Sequence, residues 1–287
     1  MKISDKFAKG KTVFSLEVFP PKKTGSIDTV YSALDELATL SPDAISVTFG
    51  AGGSEATRAS VELAGAIRSR FGIEPMLHLT CISQTRDEAE EILKSARALG
   101  IENILALRGD ISPERPRKND FTYASDLVSF VAERGFSVAG ACYPEGHSES
   151  PDIVTDVLNL RHKVECGATH LISQLFFDNA FFYDFLERAR LAGINVPIEA
   201  GIMPVTNKSQ IERMVTMCGA SIPQKFAKMM QRYENNPEAL RDAGIAYAVD
   251  QIVDLVSRGV DGIHLYTMNN PYIAKRIYDS IKNIIRV

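Results

Sequence analysis

Short apolar stretches alternate with longer amphipathic stretches along the chain. Eight apolar stretches have the length of β-strands: Thr12–Pro20, Ala44–Phe49, Pro75–Cys81, Asn103–Gly109, Ser137–Pro144, His170–Phe177, Val196–Pro204 and Gly262–Met268. Apolar residues recur at helical spacing in Ile27–Leu40, Glu55–Phe71, Asp87–Leu99, Tyr123–Glu133, Asp152–Cys166, Ala180–Leu191, Asn207–Met217 and Tyr272–Ile285. This alternation predicts parallel strands joined by helical crossovers, and eight such units favour a closed (β/α)8 TIM barrel over an open sheet.

The segment between the seventh and eighth predicted strands is longer than one helix requires. After Asn207–Met217 it holds two more helical patterns, Pro223–Tyr233 and Pro237–Arg258. We predict that Pro223–Tyr233 is an extra helix inserted on the active-site side of the barrel. Because no internal repeat or flexible linker interrupts the pattern, we predict a single catalytic domain over residues 1–287.

Charge and cysteine content narrow the class of protein. The 32 basic and 36 acidic side chains give a formal net charge of −4, which does not favour binding to nucleic acid or to an anionic membrane. The 4 cysteines include no Cys-x-x-Cys pair, which predicts reduced thiols. Met1–Gly10 lacks the apolar core of a signal peptide and no apolar run is long enough to cross a bilayer, so we predict a cytoplasmic protein.

A carboxyl group interrupts the first predicted strand. Glu17 lies in the apolar segment Val13–Pro21, in which Pro20 and Pro21 end strand pairing. A carboxyl group removed from water favours its protonated form, so Glu17 is a candidate general acid. The alternative interpretation is a glutamate paired with a buried lysine or arginine.

The fourth predicted strand ends in Arg108, Gly109 and Asp110. Alternation along a strand predicts that Arg108 and Asp110 point to the same side, and Gly109 lets a ligand approach the backbone. These three residues are therefore candidates for ligand binding, and a structural ion pair at the strand end is the alternative. The Arg-Gly-Asp triplet does not indicate adhesion, because it ends a predicted barrel strand.

Other polar side chains mark further strand ends. Thr48 ends the second predicted strand, His78 lies on the third, and Gln174 lies on the sixth among leucine and phenylalanine. His78 and Cys81 have no matching ligands elsewhere in the sequence, so we predict no metal site. Gly50–Gly53 is a weak signal of a phosphate loop, because it lacks the P-loop lysine and the Rossmann spacing.

The segment after the fifth predicted strand adds another candidate surface. Tyr143 offers an aromatic ring for stacking, and His147 offers a hydrogen-bond donor on the loop. In the next predicted helix Asp156, Asn159 and Lys163 share one face. This face is a candidate ligand surface, and a solvated outer face of the barrel is the alternative.

Eight short motifs occur in order along the chain: Leu16-Glu-Val-Phe-Pro-Pro21, Ser46-Val-Thr-Phe-Gly-Ala51, His78-Leu-Thr-Cys81, Leu107-Arg-Gly-Asp110, Tyr123-Ala-Ser-Asp-Leu127, Tyr143-Pro-Glu-Gly-His147, Gln174-Leu-Phe-Phe-Asp178 and Gly201-Ile-Met-Pro204. Together they resemble the methylenetetrahydrofolate reductase family, from about Thr12 to the last predicted helix. The chain is most similar to the short bacterial form, without the C-terminal regulatory domain of the eukaryotic enzymes. The resemblance implies a flavin-binding (β/α)8 barrel, which agrees with the predicted strand count.

The resemblance also implies a reaction and its residues. The reaction is FAD-dependent reduction of 5,10-methylenetetrahydrofolate to 5-methyltetrahydrofolate by NADH or NADPH, with ping-pong hydride transfer through flavin N5. Glu17 would protonate N10 of the folate, and Asp110 would act on the charge of the reduced flavin. The implied FAD-binding residues are Thr48, His78, Arg108, Gly109, Asp110, Tyr123, Ala124, Ala141, Tyr143, His147, Asp156, Asn159, His162 and Lys163. The implied substrate-binding residues are Glu17, Thr48, Asp110, Gln174, Gln210 and Asn270.

Two positions depart from the family pattern. His162 stands where the family often has arginine, and a histidine would donate to a flavin phosphate or ribose in a pH-dependent way. Asn270 ends the segment Tyr266-Thr-Met-Asn-Asn270, where the family often has Tyr-Thr-Leu-Asn-Arg. An amide at this position cannot supply the cation that arginine would offer to the substrate.

Several alternatives stay open from the sequence. One is a pterin-dependent methyltransferase-type barrel without flavin, and another is a non-catalytic barrel that acts as an interaction subunit. A third is a reductase that receives electrons from a partner subunit. The sequence does not distinguish NADH from NADPH, because it has no Rossmann fingerprint with its ribose-binding acid. The family resemblance further implies a homo-oligomer.

Overall fold

The computed structural model describes residues 1–7, 11–21, 26–49, 54–110 and 116–286. Within these residues, eight parallel strands close into a barrel in sequence order, with the last strand paired to the first. The strands are β1 Val13–Val18, β2 Ala44–Val47, β3 Glu74–Thr80, β4 Asn103–Leu107, β5 Ser137–Cys142, β6 Ala168–Ser173, β7 Ile198–Ile202 and β8 Gly262–Tyr266. The predicted (β/α)8 TIM barrel is confirmed.

Helices surround the barrel and include the predicted insertion. In the described ranges they are α1 Ile27–Ala38, α2 Ser54–Phe71, α3 Arg86–Ala98, α4 Ala124–Ala132, α5 Ile153–Glu165, α6 Asn179–Leu191, α7 Lys208–Cys218, α8 Gln224–Tyr233, α9 Pro237–Ser257 and α10 Pro271–Ile281. Helix α8 is the extra helix. Its Phe226 and Met230 pack with Leu175 and Met203, which follow β6 and β7. The extra helix therefore lies at the C-terminal ends of the strands, as predicted.

The predicted strands extend too far at their C-terminal ends. β2 ends at Val47 and β4 ends at Leu107, so Thr48 and Arg108 lie in the loops that follow. Gly109 has a φ of +85°, a backbone conformation that favours glycine and ends the strand. Strand alternation therefore does not relate Arg108 to Asp110. The argument that both side chains point to the same side because they alternate along a strand was wrong. Gly50–Gly53, the weak phosphate-loop signal, lies outside the described residues.

The cysteines and the helices bear on two further expectations. Cys81, Cys142, Cys166 and Cys218 are free thiols, as the absence of Cys-x-x-Cys pairs predicts. Among the helices that the structure describes, none combines the length and the apolar character needed to span a bilayer.

Apolar residues close the N-terminal end of the barrel. Alternate strand residues such as Leu16 face outward and pack in the main core between the strands and the helices. Inside the barrel a smaller apolar cluster contains Ile3, Ala44, Met76, Leu105, Ala139 and Ile172. The backbone N–H of Ile3 donates to Asn103 Oδ1 at 2.8 Å, which anchors the N-terminal segment across this end. The interior is thus sealed on the side away from the strand C-termini.

The rest of the barrel interior is polar. Ser15, Glu17, His170, Glu199 and His264 are all buried. The interiors of TIM barrels are dominated by branched apolar residues, and burial of an ionisable group is costly unless it has partners. Such a polar interior, connected to the C-terminal ends of the strands, is a candidate for function.

Gly244 lets α9 pack closely against the loop after β7. A Cβ atom at Gly244 would lie 1.7 Å from the backbone oxygen of Val205. We expect Gly244→Ala to lower the free energy of unfolding by about 1–3 kcal/mol, the usual cost of overpacking, as measured by urea denaturation. Gly65→Ala in α2 is the control, because its nearest contact would be Leu99 Cδ1 at 2.8 Å, the end of a flexible side chain rather than a backbone atom. Equal losses in the two variants would contradict the explanation.

Candidate active site

A cavity of about 950 Å³ opens at the C-terminal ends of the strands. Each strand contributes a lining residue within it or directly after it. In strand order, one such set is Glu17, Thr48, His78, Arg108, Tyr143, Gln174, Met203 and Tyr266. Enzymes with this fold carry their active sites at this end of the barrel, so this first cavity is the candidate active site.

A second cavity of about 540 Å³ adjoins the first beside α4 and α5. The two cavities share the lining residues Leu107, Arg108, Ala141, Tyr143 and His147. Together they form one cleft, with one end over the barrel mouth and the other between two helices. An elongated ligand fits such a cleft better than a compact ligand does.

The residues implied to bind FAD all line this cleft. Those that line the first cavity alone are Thr48, His78, Gly109 and Asp110. Those that line the second cavity alone are Tyr123, Ala124, Asp156, Asn159, His162 and Lys163. Those that line both are Arg108, Ala141, Tyr143 and His147. The structure therefore brings the set together, while the role of each residue stays a prediction.

Glu17 lies between two histidines. Its side chain is nearly buried, and its Oε2 lies 3.6 Å from both His78 Nε2 and His264 Nε2. Burial lowers the pKa of His78 to about 4, although the nearby Glu17 opposes this effect, so His78 is neutral near pH 7. In the described part of the chain, the ion-pair partners of Glu17 are these histidines. The lysine or arginine of the alternative interpretation is not found there.

His264 was not predicted from the sequence. The strand register pairs His264 of β8 with Ser15 of β1, and His264 Nδ1 lies 2.7 Å from Ser15 Oγ. Its Nε2 has no hydrogen-bond partner among the described residues, and neither has that of His78. The available signal was a polar residue at the centre of the apolar segment Gly262–Tyr266.

Arg108 forms an ion pair that the sequence did not predict. Its Nη2 donates to Glu149 Oε1 at 2.7 Å, and its Nη1 donates to Glu149 Oε2. This hydrogen bonding lowers the pKa of Glu149. The pair lies where the two cavities meet, so Arg108 combines the two interpretations offered for it: it is ion-paired and it lines the cleft.

Lys163 extends from α5 to the second cavity. Its Nζ donates to the carbonyl oxygen of Ala141 at 2.7 Å. Gly140 leaves room for the stem, since a Cβ atom there would lie 2.9 Å from Lys163 Cδ. Burial lowers the pKa of Lys163 and raises that of Asp156. The face shared by Asp156, Asn159 and Lys163 therefore borders the cleft, with Asp156 and Lys163 partly buried, which favours a ligand surface over a solvated outer face.

The loop after β5 has a fixed shape at the junction of the cavities. The rings of Tyr143 and His147 pack edge to face with their centroids 4.7 Å apart. Burial raises the pKa of Tyr143 to about 12, so its hydroxyl is a neutral donor near pH 7. His147 Nδ1 accepts the backbone N–H of Glu149 at 3.1 Å, which orients the imidazole.

The implied substrate-binding residues differ in whether they line the cleft. Gln174 lines the first cavity, and its Oε1 accepts the backbone N–H of Leu175 at 2.9 Å. Asn270 caps α10 by accepting the backbone N–H of Ile273 at 3.2 Å, and it is not among the described residues that line the cleft. The side chain of Gln210 lies outside the described residues. Its role stays a prediction, as does that of Asn270.

Comparison with known families decides the class of this barrel. A family model described as methylenetetrahydrofolate reductase matches residues 2–282. The chain belongs to the methylenetetrahydrofolate reductase family. The resemblance found in the motifs is thereby confirmed over almost the whole chain.

Relatives in the methylenetetrahydrofolate reductase family match over most of their own length. The 5,10-methylenetetrahydrofolate reductase of Pectobacterium carotovorum subsp. carotovorum is 37% identical over 269 residues, which cover 93% of this chain and 89% of the relative. The enzyme of the same name from Escherichia coli K12 is 37% identical over 261 residues, which cover 91% of this chain and 87% of the relative.

A solved structure shares the fold. It is an uncharacterized protein from Clostridium thermocellum, described as binding two copies of 5-methyl-5,6,7,8-tetrahydrofolic acid. The TM-score is 0.67 at 14% identity, and the match covers 99% of both chains. At this identity the match supports the barrel fold alone.

In this member of the methylenetetrahydrofolate reductase family, the two motifs on which the site depends lie together. Glu17 and the turn Arg108–Asp110 line the same cavity at the C-terminal rim of the barrel. Placement at opposite ends would have excluded a joint role in one reaction.

Proposed function

We propose that this protein is a flavin-dependent methylenetetrahydrofolate reductase, an oxidoreductase that acts on a CH–NH donor. It would convert 5,10-methylenetetrahydrofolate to 5-methyltetrahydrofolate, with FAD as cofactor and NADH or NADPH as reductant. Family membership supports the substrate class. The observation that carries the proposal is a buried carboxyl group, Glu17, at one end of a cleft whose other end presents cationic donors.

The residues of the second cavity fit the diphosphate and ribose of a dinucleotide. Arg108 and Lys163 present cationic donors, and His162 and Asn159 add further donors at the edge. The pKa of Lys163 is lowered by burial, so an anion beside it would favour the charged ammonium. Tyr123 is 63% exposed at the rim, where its ring can stack on a base. This set of donors supports FAD as the ligand of the cleft.

The flavin, when bound, supplies the hydride chemistry between the nicotinamide nucleotide and the folate. The side chains of the chain bind, orient and protonate. Glu17 gives a proton to N10 of the substrate, so that the five-membered imidazolidine ring opens to an iminium. Because Glu17 is only 7% exposed, water has little access to this proton in competition with the substrate.

Other groups shape the first cavity. Asp110 lines it beside Arg108 and would disfavour additional negative charge on the flavin ring. The Tyr266 hydroxyl donates to the carbonyl oxygen of Ser173 at 2.8 Å, which fixes one wall. Gly201 makes this arrangement possible, since a Cβ atom there would lie 2.8 Å from the Tyr266 hydroxyl oxygen.

The visible spectrum of the purified protein tests the proposal. We expect flavin absorbance, bleaching of that absorbance by NADH or NADPH without oxygen, and its return when 5,10-methylenetetrahydrofolate is added. A colourless protein that binds folate would favour the pterin-dependent methyltransferase instead. A flavin that neither nucleotide bleaches would favour a partner subunit as the electron source.

Three further features stay predictions. They are the single catalytic domain over residues 1–287, a homo-oligomer and a cytoplasmic location. Sedimentation velocity of the purified protein measures the oligomeric state directly.

A further inference from the structure

A second glutamate is sealed inside the barrel beneath Glu17. Glu199 lies on β7, and none of its surface is exposed. Its neighbour across the strand pair is Gly262, where a Cβ atom would lie 2.8 Å from Glu199 Cγ. Strand β8 thus has a glycine at the position where a larger residue would exclude the carboxyl group of Glu199. Neither the family motifs nor the reaction described above uses this carboxyl group.

Side-chain contacts lead from Glu199 through Ser15 and His264 to Glu17. Ser15 Oγ is hydrogen-bonded to Glu199 Oε2 and lies 2.7 Å from His264 Nδ1. The other imidazole nitrogen, His264 Nε2, faces Glu17 Oε2 at 3.6 Å. The residues alternate between proton donors and acceptors, as a proton relay requires.

The surroundings of Glu199 favour its protonated form. The titratable groups that face it are His264, His170 at 3.9 Å from its Oε1, and the more distant Asp43. Burial lowers the pKa of His170 to about 4, so this neighbour is not a cation near pH 7. Burial raises the pKa of Glu199, and this effect outweighs its interactions with His264 and Ser15.

At the other end, Glu17 is faced by titratable groups from two strands. They are His78 of β3 and His264 and Tyr266 of β8. Burial holds the pKa of Tyr266 well above its ordinary value, and that of His78 is lowered to about 4. Tyr266 and His78 are both neutral near pH 7. His264 is the neighbour of Glu17 that is connected through Ser15 to a second carboxyl group, that of Glu199.

We propose that Glu199 stores the proton that restores Glu17 to its acid form, and that Ser15 and His264 carry this proton between them. The proposal rests on the proposed function, in which Glu17 loses one proton to each folate. The substrate covers Glu17 from the cavity side. A proton delivered from the barrel interior reaches Glu17 without opening the site.

The transfer balances without any other reactant. The Glu199 O–H gives its proton to Ser15 Oγ, and Ser15 passes its own hydroxyl proton to His264 Nδ1. His264 releases the proton on Nε2 to the Glu17 carboxylate. The imidazole ends neutral in its other tautomer, Ser15 remains a hydroxyl, and the net change is one proton moved from Glu199 to Glu17. After the product leaves, water in the open cavity reprotonates Glu17, and the same path run in reverse returns a proton to Glu199 and restores the first tautomer of His264. The 3.6 Å step exceeds the ordinary hydrogen-bond range and must shorten, as catalytic hydrogen bonds do in substrate complexes.

Ser15→Ala and Glu199→Gln interrupt the relay at two different atoms. In wild type a complex with ionised Glu17 is still competent while Glu199 holds a proton, whereas in the variants only protonated Glu17 is competent. The rate of flavin reoxidation by 5,10-methylenetetrahydrofolate should therefore begin to fall at a lower pH in both variants. At the alkaline end we expect it to be at least about tenfold slower than wild type, within the range of general acid–base effects. Flavin reduction by nucleotide should not change.

Ser46→Ala is the matched control. Ser46 is fully buried in β2, pairs in register with Glu17, and its Oγ has no hydrogen-bond partner in the described part of the chain. It loses the same hydroxyl volume as Ser15→Ala but lies outside the relay. A Ser15→Ala pH profile that coincides with that of Ser46→Ala would overturn the proposal, and a shift confined to Ser15→Ala and Glu199→Gln supports it.

Infrared spectroscopy tests the store without folate turnover. We expect the carbonyl-stretch region of wild type at neutral pH to contain a band of a protonated carboxylic acid that Glu17→Gln retains and Glu199→Gln loses. If that band persists unchanged in Glu199→Gln, Glu199 holds no proton and the proposal fails. If wild type shows the band but reduces no folate, the proposed function fails while the buried acid stands.

Discussion

Glu17→Gln is expected to retain flavin and its reduction by nucleotide but to lose folate reduction by about 10²- to 10⁴-fold, the usual contribution of a general acid. Glutamine has nearly the same shape and can fill the space between His78 and His264, but it has no acidic proton for N10. Stopped-flow measurement of the two half-reactions, each started separately, gives the two rates.

The nucleotide half-reaction of the same variant is the internal control for Glu17→Gln. It requires the flavin and a complete cleft, but no proton on the folate. A parallel loss of both half-reactions would indicate that Glu17 supports the structure of the cavity. Folate reduction near the wild-type rate would show that another group supplies the proton.

The barrel could be predicted because its strands are buried on both faces. Segments such as Asn103–Gly109 are almost continuously apolar, which is typical of parallel strands covered by helices. The C-terminal boundaries were less predictable. Thr48 and Arg108 continue an apolar strand in the sequence, and the end of strand pairing depends on backbone angles such as the +85° φ of Gly109.

The rim of the site could be predicted, and its interior could not. Glu17 lies three residues before Pro20 and Arg108 directly before Gly109, and these residues mark strand ends, so the sequence shows where the two side chains converge. Glu199 and His264 lie in the middle of apolar strands, and each alone has the pattern of an ordinary buried polar residue. Their significance comes from contacts with Ser15 across a closed barrel, between residues 184 and 249 positions apart.

Glu149 and Asn270 show a second limit of prediction from motifs. Glu149 lies two residues beyond the motif that ends at His147, and its ion pair with Arg108 depends on the path of the loop. Asn270 occupies a motif position, but its side chain caps α10. A motif gives the position of a residue along the chain, while the local hydrogen bonds decide where its side chain points.

Lys163→Met is expected to weaken FAD binding by about 10- to 150-fold. Lys163 Nζ uses one donor on the carbonyl oxygen of Ala141, and an ammonium has three. A hydrogen bond from a charged donor contributes about 1.5–3 kcal/mol, which corresponds to that change in the dissociation constant. Methionine keeps the length and the apolar stem beside Gly140 but removes the charge. Titration of the apoprotein with FAD measures the effect.

Arg161→Gln on the same helix is the control for Lys163→Met. Arg161 is exposed and pairs with Glu165 at 2.8 Å, so its loss removes a cation of α5 without touching the second cavity. Equal weakening in the two variants would mean that FAD responds only to the net charge of the helix. A purely structural role for Lys163 would instead lower the melting temperature of the apoprotein and leave the affinity for FAD unchanged. Because removal of a partly buried ammonium relieves its desolvation, we expect the apoprotein to melt no lower than wild type.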